Sequence, residues 1–223
     1  YAEDINDAIS LIDDSTVAIM LELIQGEGGI FMQDISQIKK LEKTLKEKKL
    51  LLIVDEIQTG VYRSGNFLIS QYFEIKPDIV TLAKGLATGI PIGVMMANKK
   101  NIFTFGDHGS TFGGNHLSTT VSCKVLNILE KYSNSGILQE NIKFFDSYLL
   151  YCINKYPNLF IQKNGHGFMQ GLVLKDDTKL NELINSSLKN GLLILKSGKN
   201  IIRFLPPLNI TKKEMIKGFK RFE

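Results

Sequence analysis

Residues 50–60 read LLLIVDEIQTG, and residues 76–85 read KPDIVTLAKG. In each stretch a short apolar run ends in one charged group. The first, from Leu50 to Val54, stops at Asp55; the second, from Ile79 to Ala83, stops at Lys84. Both runs are too short for a stable helix. Continuous rather than alternating apolarity suits strands of a parallel sheet covered on both faces. Ligands of open parallel sheets bind outside the carboxyl ends of the strands. An aspartate and a lysine at two such ends are therefore expected to face one crevice, and the fold class is α/β with a mostly parallel sheet.

Working outward, residues 17–23 read VAIMLEL, a third apolar run, followed by QGEGG at 25–29 with Glu27 in its centre. Three glycines in five residues permit turns closed to other residues. Three consecutive strands are thus expected to deliver Glu27, Asp55 and Lys84 to one sheet edge. Between the first two, Ile35, Ile38, Leu41 and Leu45 form a helical stripe that ends in KEKK, where lysines complement the helix dipole. A short helix is expected at 5–12 and a strand at 94–97. The loop GDHGSTFGGN at 106–115 then opens onto a helix carrying Leu117, Val121, Val125, Ile128 and Tyr132 on one face. A glycine-rich loop at a helix start can offer backbone amides to an anion.

The texture changes after the turn at 133–136. An amphipathic helix with Leu138, Ile142, Phe145, Leu149 and Cys152 leads to short strands at 159–162 and 168–174. A helix at 179–189, strands at 192–195 and 200–204, and a last helix with Met215, Phe219 and Phe222 complete the pattern. This order predicts two domains: residues 1–132 as part of a larger α/β domain, and 133–223 as a small α+β domain.

Composition narrows the chemistry. The formal charge of +4 is mild and the lysines are dispersed, which argues against nucleic acid as a partner. No apolar run reaches the length of a membrane span. Cys123 and Cys152 form no CxxC pair and read as buried thiols of a reducing, cytoplasmic setting. His108, His116 and His166 have no metal-ligand spacing, so no metal is expected. LLLIVDE also suggests the acidic strand end of a nucleotide hydrolase, but no GxxxxGK[ST] accompanies it. A GxSxG nucleophile elbow is absent too.

Lys84 closes an apolar run and is followed by glycine, a setting that suits a partly desolvated amine. Such an amine is a usable nucleophile, and its natural product with an aldehyde is a Schiff base. Asp55 then gains a specific use, as the carboxylate that keeps a pyridinium nitrogen protonated.

DEIQTG upstream of LAKG, with QGEGG before them and HGSTFGGN after, resembles the class III pyridoxal-phosphate aminotransferases, most closely the acetylornithine and ornithine enzymes. The likeness runs on to RFLPPLNIT at 203–211 and so covers nearly the whole chain. It implies a fold type I transferase. It makes Lys84 the lysine bonded to pyridoxal 5'-phosphate and Asp55 the partner of the ring nitrogen. Glu56, Ile57 and Gln58 would lie beside the cofactor, with Gln58 on the ring hydroxyl. Thr111 would bind the phosphate across a homodimer interface, in an active site shared between subunits. Ser110 would lie next to the substrate. Arg203 would bind a substrate carboxylate, with Glu27 as its gate.

The implied reaction moves the terminal amino group of N-acetylornithine, or a similar donor, to 2-oxoglutarate in arginine biosynthesis. Ornithine and 4-aminobutyrate are the alternative donors, and an incomplete unit that only dimerises or packs is the alternative role. Leu23, Tyr62 and His116 stand where the family commonly has proline, glycine and proline. The family also carries an upstream glycine loop, a ring-stacking aromatic and a carboxylate-binding arginine. None precedes residue 25, so the chain is expected to be part of a longer protein.

Overall fold

A computed structural model describes residues 1–100 and 102–223. In chain order, α1 is Ile5–Ser10, β1 Ala18–Leu21, β2 Ile24–Gln25, β3 Phe31–Met32, α2 Ile35–Lys48, β4 Leu51–Asp55 and α3 Ile69–Phe73. Next come β5 Ile79–Leu82, β6 Val94–Ala97, α4 His116–Asn134 and α5 Ile137–Lys155. The remainder holds β7 Phe160–His166, β8 Met169–Leu174, α6 Leu180–Lys189, β9 Leu195–Ser197, β10 Ile201–Phe204 and α7 Lys212–Phe222.

The chain forms two compact units. The first is Tyr1–Leu23, Gln33–Val61 and Asn66–Leu129; the second is Ile24–Met32, Tyr62–Gly65 and Glu130–Glu223. Against the expected boundary after Tyr132, two early segments therefore group with the carboxyl-terminal unit.

In the first unit one sheet has the order β1-β4-β5-β6, parallel across β1, β4 and β5, with β6 antiparallel at the edge. Leu52, Val54, Val80 and Leu82 are buried, while the residues between them are only partly covered. The strands are thus sealed on one face and half-sealed on the other, rather than equally on both. Helix α2 starts at Asp34, whose carboxylate accepts from the Gln37 N–H, and it buries Ile38, Leu41 and Leu45. It stops at Lys49, which takes a left-handed φ of 59°.

Helix α4 corrects the expected apolar face. Its buried residues are Ser118 and Ser122, while Leu117 and Ile128 are exposed, as is Cys123 against the expectation of a buried thiol. Small hydroxyl residues allow a close approach: Ser118 Oγ donates to the Pro91 carbonyl at 3.0 Å, and Ser122 Oγ donates back to the Ser118 carbonyl at 2.8 Å. The apolar stripe counted from the sequence lies beside this serine seam.

The second unit holds an antiparallel sheet in the order β7-β8-β10-β9. Its core gathers Leu138, Phe145, Leu149, Cys152, Phe160, Phe168, Leu172, Ile202 and Met215 from strands and helices alike. The strand expected at 192–195 lies at β9 instead, because its register is fixed by pairing Ile201 with Ser197 and Arg203 with Leu195. Helix α7 carries a capping box in which Thr211 Oγ1 accepts from Glu214 N and Glu214 accepts from Thr211 N. Its Phe219 ring lies parallel to that of Tyr148, with centroids 3.5 Å apart.

Strands β2 and β3 pair as a hairpin of this unit. Its tip carries QGEGG. Glu27 is therefore not presented by the end of a parallel strand as expected. The run VAIMLEL breaks after Leu21, and Ile24–Gln25 turns into the hairpin.

Candidate active site

In the first unit the parallel register pairs Asp55, the last residue of β4, with Thr81 of β5. The pairing has a chemical consequence. Thr81 Oγ1 donates to Asp55 Oδ1 at 3.2 Å, and the Ile57 N–H donates to the same oxygen at 2.9 Å. Two donors on Oδ1 fix the carboxylate plane, while Oδ2 accepts from neither. Lys84 follows β5 directly and opens a short 3₁₀ turn, Lys84–Leu86. Adjacent strand ends thus bring an oriented carboxylate and a lysine to one edge of the sheet.

The desolvated setting expected for Lys84 is not what the chain supplies. The residue is exposed, and its φ of 45° places it in the left-handed region. Non-glycine residues in that region carry strain on the order of 1–3 kcal/mol and cluster at functional sites. The following Gly85 has open space where a Cβ would sit.

Glu56 is corrected. Its side chain is fully buried and accepts from the Ile69 N–H at 2.6 Å, and from the Ser70 N–H and hydroxyl at 2.9 and 2.8 Å. It serves the start of α3 and is not available to a cofactor. Burial pushes its carboxyl above the usual glutamate range, against the lowering effect of these hydrogen bonds. Ile57 acts through its backbone on Asp55. Gln58 is half-buried three residues past Asp55. Ser110 and Thr111 are exposed, and Ser110 Oγ accepts from the Gly113 N–H at 2.9 Å, shaping the loop ahead of α4.

In the second unit Arg203 and Glu27 meet. Arg203 Nη1 donates to Glu27 Oε1 at 2.6 Å and to the Gly26 carbonyl at 3.0 Å. The pair is asymmetric: the arginine side chain is 10% exposed and the glutamate 73%. Arg203 Nε is buried with no hydrogen-bond partner among the described residues. A guanidinium donates through a planar fork matched to carboxylate, so Glu27 leaves part of that capacity unused.

Three supporting residues escaped the sequence reading. Thr81 orients Asp55, which only the strand register reveals. Ser197 bonds to the hairpin tip that carries Glu27. Arg63 donates through Nη1 to the carbonyls of Phe168 and Pro206, at 3.2 and 2.5 Å. Burial lowers its guanidinium to about 10. The positive φ of Val61 and Tyr62 turns the chain into that clamp. The second unit also has an apolar cavity of about 320 Å³ lined by Phe204, Leu205, Pro206 and Phe219. Its lining holds one charged residue, Glu214, and so offers little to orient a polar substrate.

The class-III aminotransferase family matches residues 1–223, and the chain belongs to that family. The acetylornithine aminotransferase of Wolinella succinogenes is 48% identical over 221 residues, 99% of this chain and 56% of that protein. The acetylornithine/succinyldiaminopimelate aminotransferase of Buchnera aphidicola from Acyrthosiphon pisum is 39% identical, over 98% of this chain and 54% of that protein.

Among solved structures, an ornithine aminotransferase from Toxoplasma gondii, described as holding PLP at partial occupancy in its active site, superposes with a TM-score of 0.88 at 30% identity. That match covers 98% of this chain and 53% of the other. An acetylornithine aminotransferase from Elizabethkingia anophelis gives 0.83 at 31% identity, over 92% and 55%. The α/β fold with its parallel sheet is the one these enzymes share. The chain spans about half the length of the curated relatives it matches.

Proposed function

We propose that the protein to which this chain belongs is a pyridoxal-phosphate-dependent aminotransferase. It would move the terminal amino group of N-acetylornithine, or a close ω-amino analogue, to 2-oxoglutarate in arginine biosynthesis. One observation carries the reading: an oriented carboxylate and a lysine stand at the ends of adjacent parallel strands.

The residues of this chain fit the cofactor. Asp55 has one oxygen locked by Thr81 and Ile57, and Oδ2 is left to accept from a protonated ring nitrogen. Lys84 would hold the cofactor through its amine, Gln58 would lie on the ring hydroxyl, and Thr111 would meet the phosphate from the neighbouring subunit. When bound, the cofactor supplies an aldehyde and a ring that draws electrons from the carbon bearing the substrate amine. Lys84 Nζ, freed when the substrate amine takes its place on the cofactor, would be the base that takes and returns the proton at that carbon. Ser110 would line the substrate side.

Arg203 binds a carboxylate of the oxo acid through its two-pronged fork. Glu27 covers it when the ω-amino donor is present. A homodimer, in which Thr111 would reach the site of the neighbouring subunit, is part of this reading. Among the described residues no helix is long and apolar enough to cross a membrane, and no cluster of metal-ligating side chains is present. A cytoplasmic location is part of this reading.

The test is donor preference in the full-length protein. With 2-oxoglutarate as acceptor, N-acetylornithine should give the highest kcat/KM among N-acetylornithine, ornithine, succinyl-diaminopimelate and 4-aminobutyrate. A higher value for ornithine or 4-aminobutyrate would move the assignment to that substrate.

A further inference from the structure

The hairpin tip bearing Glu27 is braced from one side by the turn between β9 and β10. Ser197 is 2% exposed, and its single hydroxyl bonds the tip twice. It accepts from the Gly29 N–H at 3.0 Å and donates to the Gly26 carbonyl at 2.8 Å. Only a group that is donor and acceptor at one atom can do both. The Gly26 carbonyl also accepts from Arg203 Nη1. A continuous chain of hydrogen bonds therefore runs from Gly29 through Ser197 and Gly26 to the guanidinium. Two further bonds hold the tip: the Gly198 N–H donates to the Glu27 carbonyl at 3.1 Å, and Asn164 Nδ2 donates to the Gly29 carbonyl at 3.1 Å. Gly198, with a φ of 60°, lies so close to Gly29 that an added Cβ would stand 3.3 Å from the Gly29 Cα.

This bracing matters because of the asymmetry of the ion pair. Glu27 is mostly exposed, and an exposed carboxylate gains little from its ion pair alone. What keeps it over Arg203 is the placement of its backbone. With Gly26, Glu27 and Gly29 all fastened, the arginine can be released by movement of the Glu27 side chain while the loop stays in place. With the tip loosened, the whole loop can leave.

We infer that Ser197 is a positioning residue that sets the resting population of the closed Glu27–Arg203 pair. It would thereby set the balance between the oxo-acid and ω-amino half-reactions. The inference rests on the proposed gating role of Glu27. An oxo acid that needs a free Arg203 has its apparent affinity reduced by the fraction of open protein. Removing the brace should raise that fraction.

The experiment measures kcat/KM for each half-reaction in the full-length holoenzyme by single-turnover kinetics. Ser197→Ala should shift the ratio of oxo-acid to amino-donor kcat/KM toward the oxo acid by about fivefold or more, since it removes both hydrogen bonds of the hydroxyl and one such bond alone is worth a factor of that order. Ser197→Thr keeps the hydroxyl and should restore the original ratio. Should Ser197→Ala fail to fold, Ser197→Cys, which keeps the bulk with a weakly bonding sulfur, should show a smaller shift in the same direction.

Glu27→Gln separates the two ideas. If it shifts the ratio and the Ser197 variants do not, the gate stands and this inference falls. If Glu27→Gln itself leaves the ratio unchanged, both fall. In the Glu27→Gln background Ser197→Ala should add no further shift, because it acts through the same carboxylate. Full additivity would mark Ser197 as merely structural and overturn the inference.

Discussion

Lys84 sits at a φ of 45°, so its backbone strain and its amine can be tested apart. Lys84→Ala removes the amine and keeps the Cβ that makes the left-handed region costly. Lys84→Gly removes both. In the full-length protein each should abolish the visible absorbance that a lysine-bound pyridoxal cofactor gives. The glycine variant should be the more stable of the two in urea unfolding of the apo protein, by roughly 1 kcal/mol. Arg203→Lys tests the fork: a lysine presents a point charge where two parallel donors are needed. The KM for 2-oxoglutarate should rise about tenfold or more, equivalent to ~1.4 kcal/mol, with a smaller change for the amino donor. The strand-end places of Asp55 and Lys84 and the meeting of Arg203 with Glu27 were legible because each residue stands in a recognisable motif of the sequence. Thr81 and Ser197 were not, since their roles arise from strand register and from a contact across many residues. Glu56 misled because DEIQ reads as one site, whereas alternate residues of a strand end point to opposite sides.

At the scale of elements, the strands at 50–55 and 79–82 were readable from their apolar runs, and α2 from its stripe and cap. Helix α4 was not: its apolar residues form a stripe, but the close-packed seam is made of serines that hydropathy scores as polar. Helix α3 shows how much one buried carboxylate can organise. In Glu56→Gln one of the facing N–H groups of Ile69 and Ser70 meets an amide donor in place of an acceptor. A loss of about 1–3 kcal/mol follows for a buried group left unsatisfied. The pH dependence has a definite sign. The folded carboxyl titrates above its ordinary range, so the stability it contributes is fully present below the unfolded glutamate pKa of about 4.3. That contribution is lost as pH rises through the raised value. The gap between wild type and Glu56→Gln should therefore narrow from pH 4 toward pH 7. Urea unfolding at several pH values checks it, and a gap that widens would show that the hydrogen bonds outweigh burial.

At the scale of the whole molecule, chain order and folding unit part company. Ile24–Met32 and Tyr62–Gly65 belong with Glu130–Glu223, and no compositional break in the sequence announces it. The reason is steric as well as chemical. A Cβ on Gly165 would stand 2.5 Å from Ile30 Cγ2, and one on Gly167 would stand 2.4 Å from the Ser64 backbone. Gly167 is kept bare by a segment far away in sequence, and Gly165 by Ile30 together with the neighbouring Met169 carbonyl, 2.1 Å from such a Cβ. The same segments supply Gly26 and Glu27 to Arg203, and Arg63 to the carbonyls of Phe168 and Pro206. A fragment comprising residues 130–223 alone would leave Arg203 uncompensated and the Phe168 carbonyl without this donor. Losing a hydrogen bond made by a charged group costs about 1.5–3 kcal/mol, a large share of the 5–15 kcal/mol that holds a typical domain. The fragment should accordingly unfold without a sharp urea transition and bind a hydrophobic dye. Joining residues 24–32 to it through a flexible linker should restore part of the cooperativity. A sharp transition in the bare fragment would mean that its aromatic core suffices and that the hairpin is held by the unit rather than holding it.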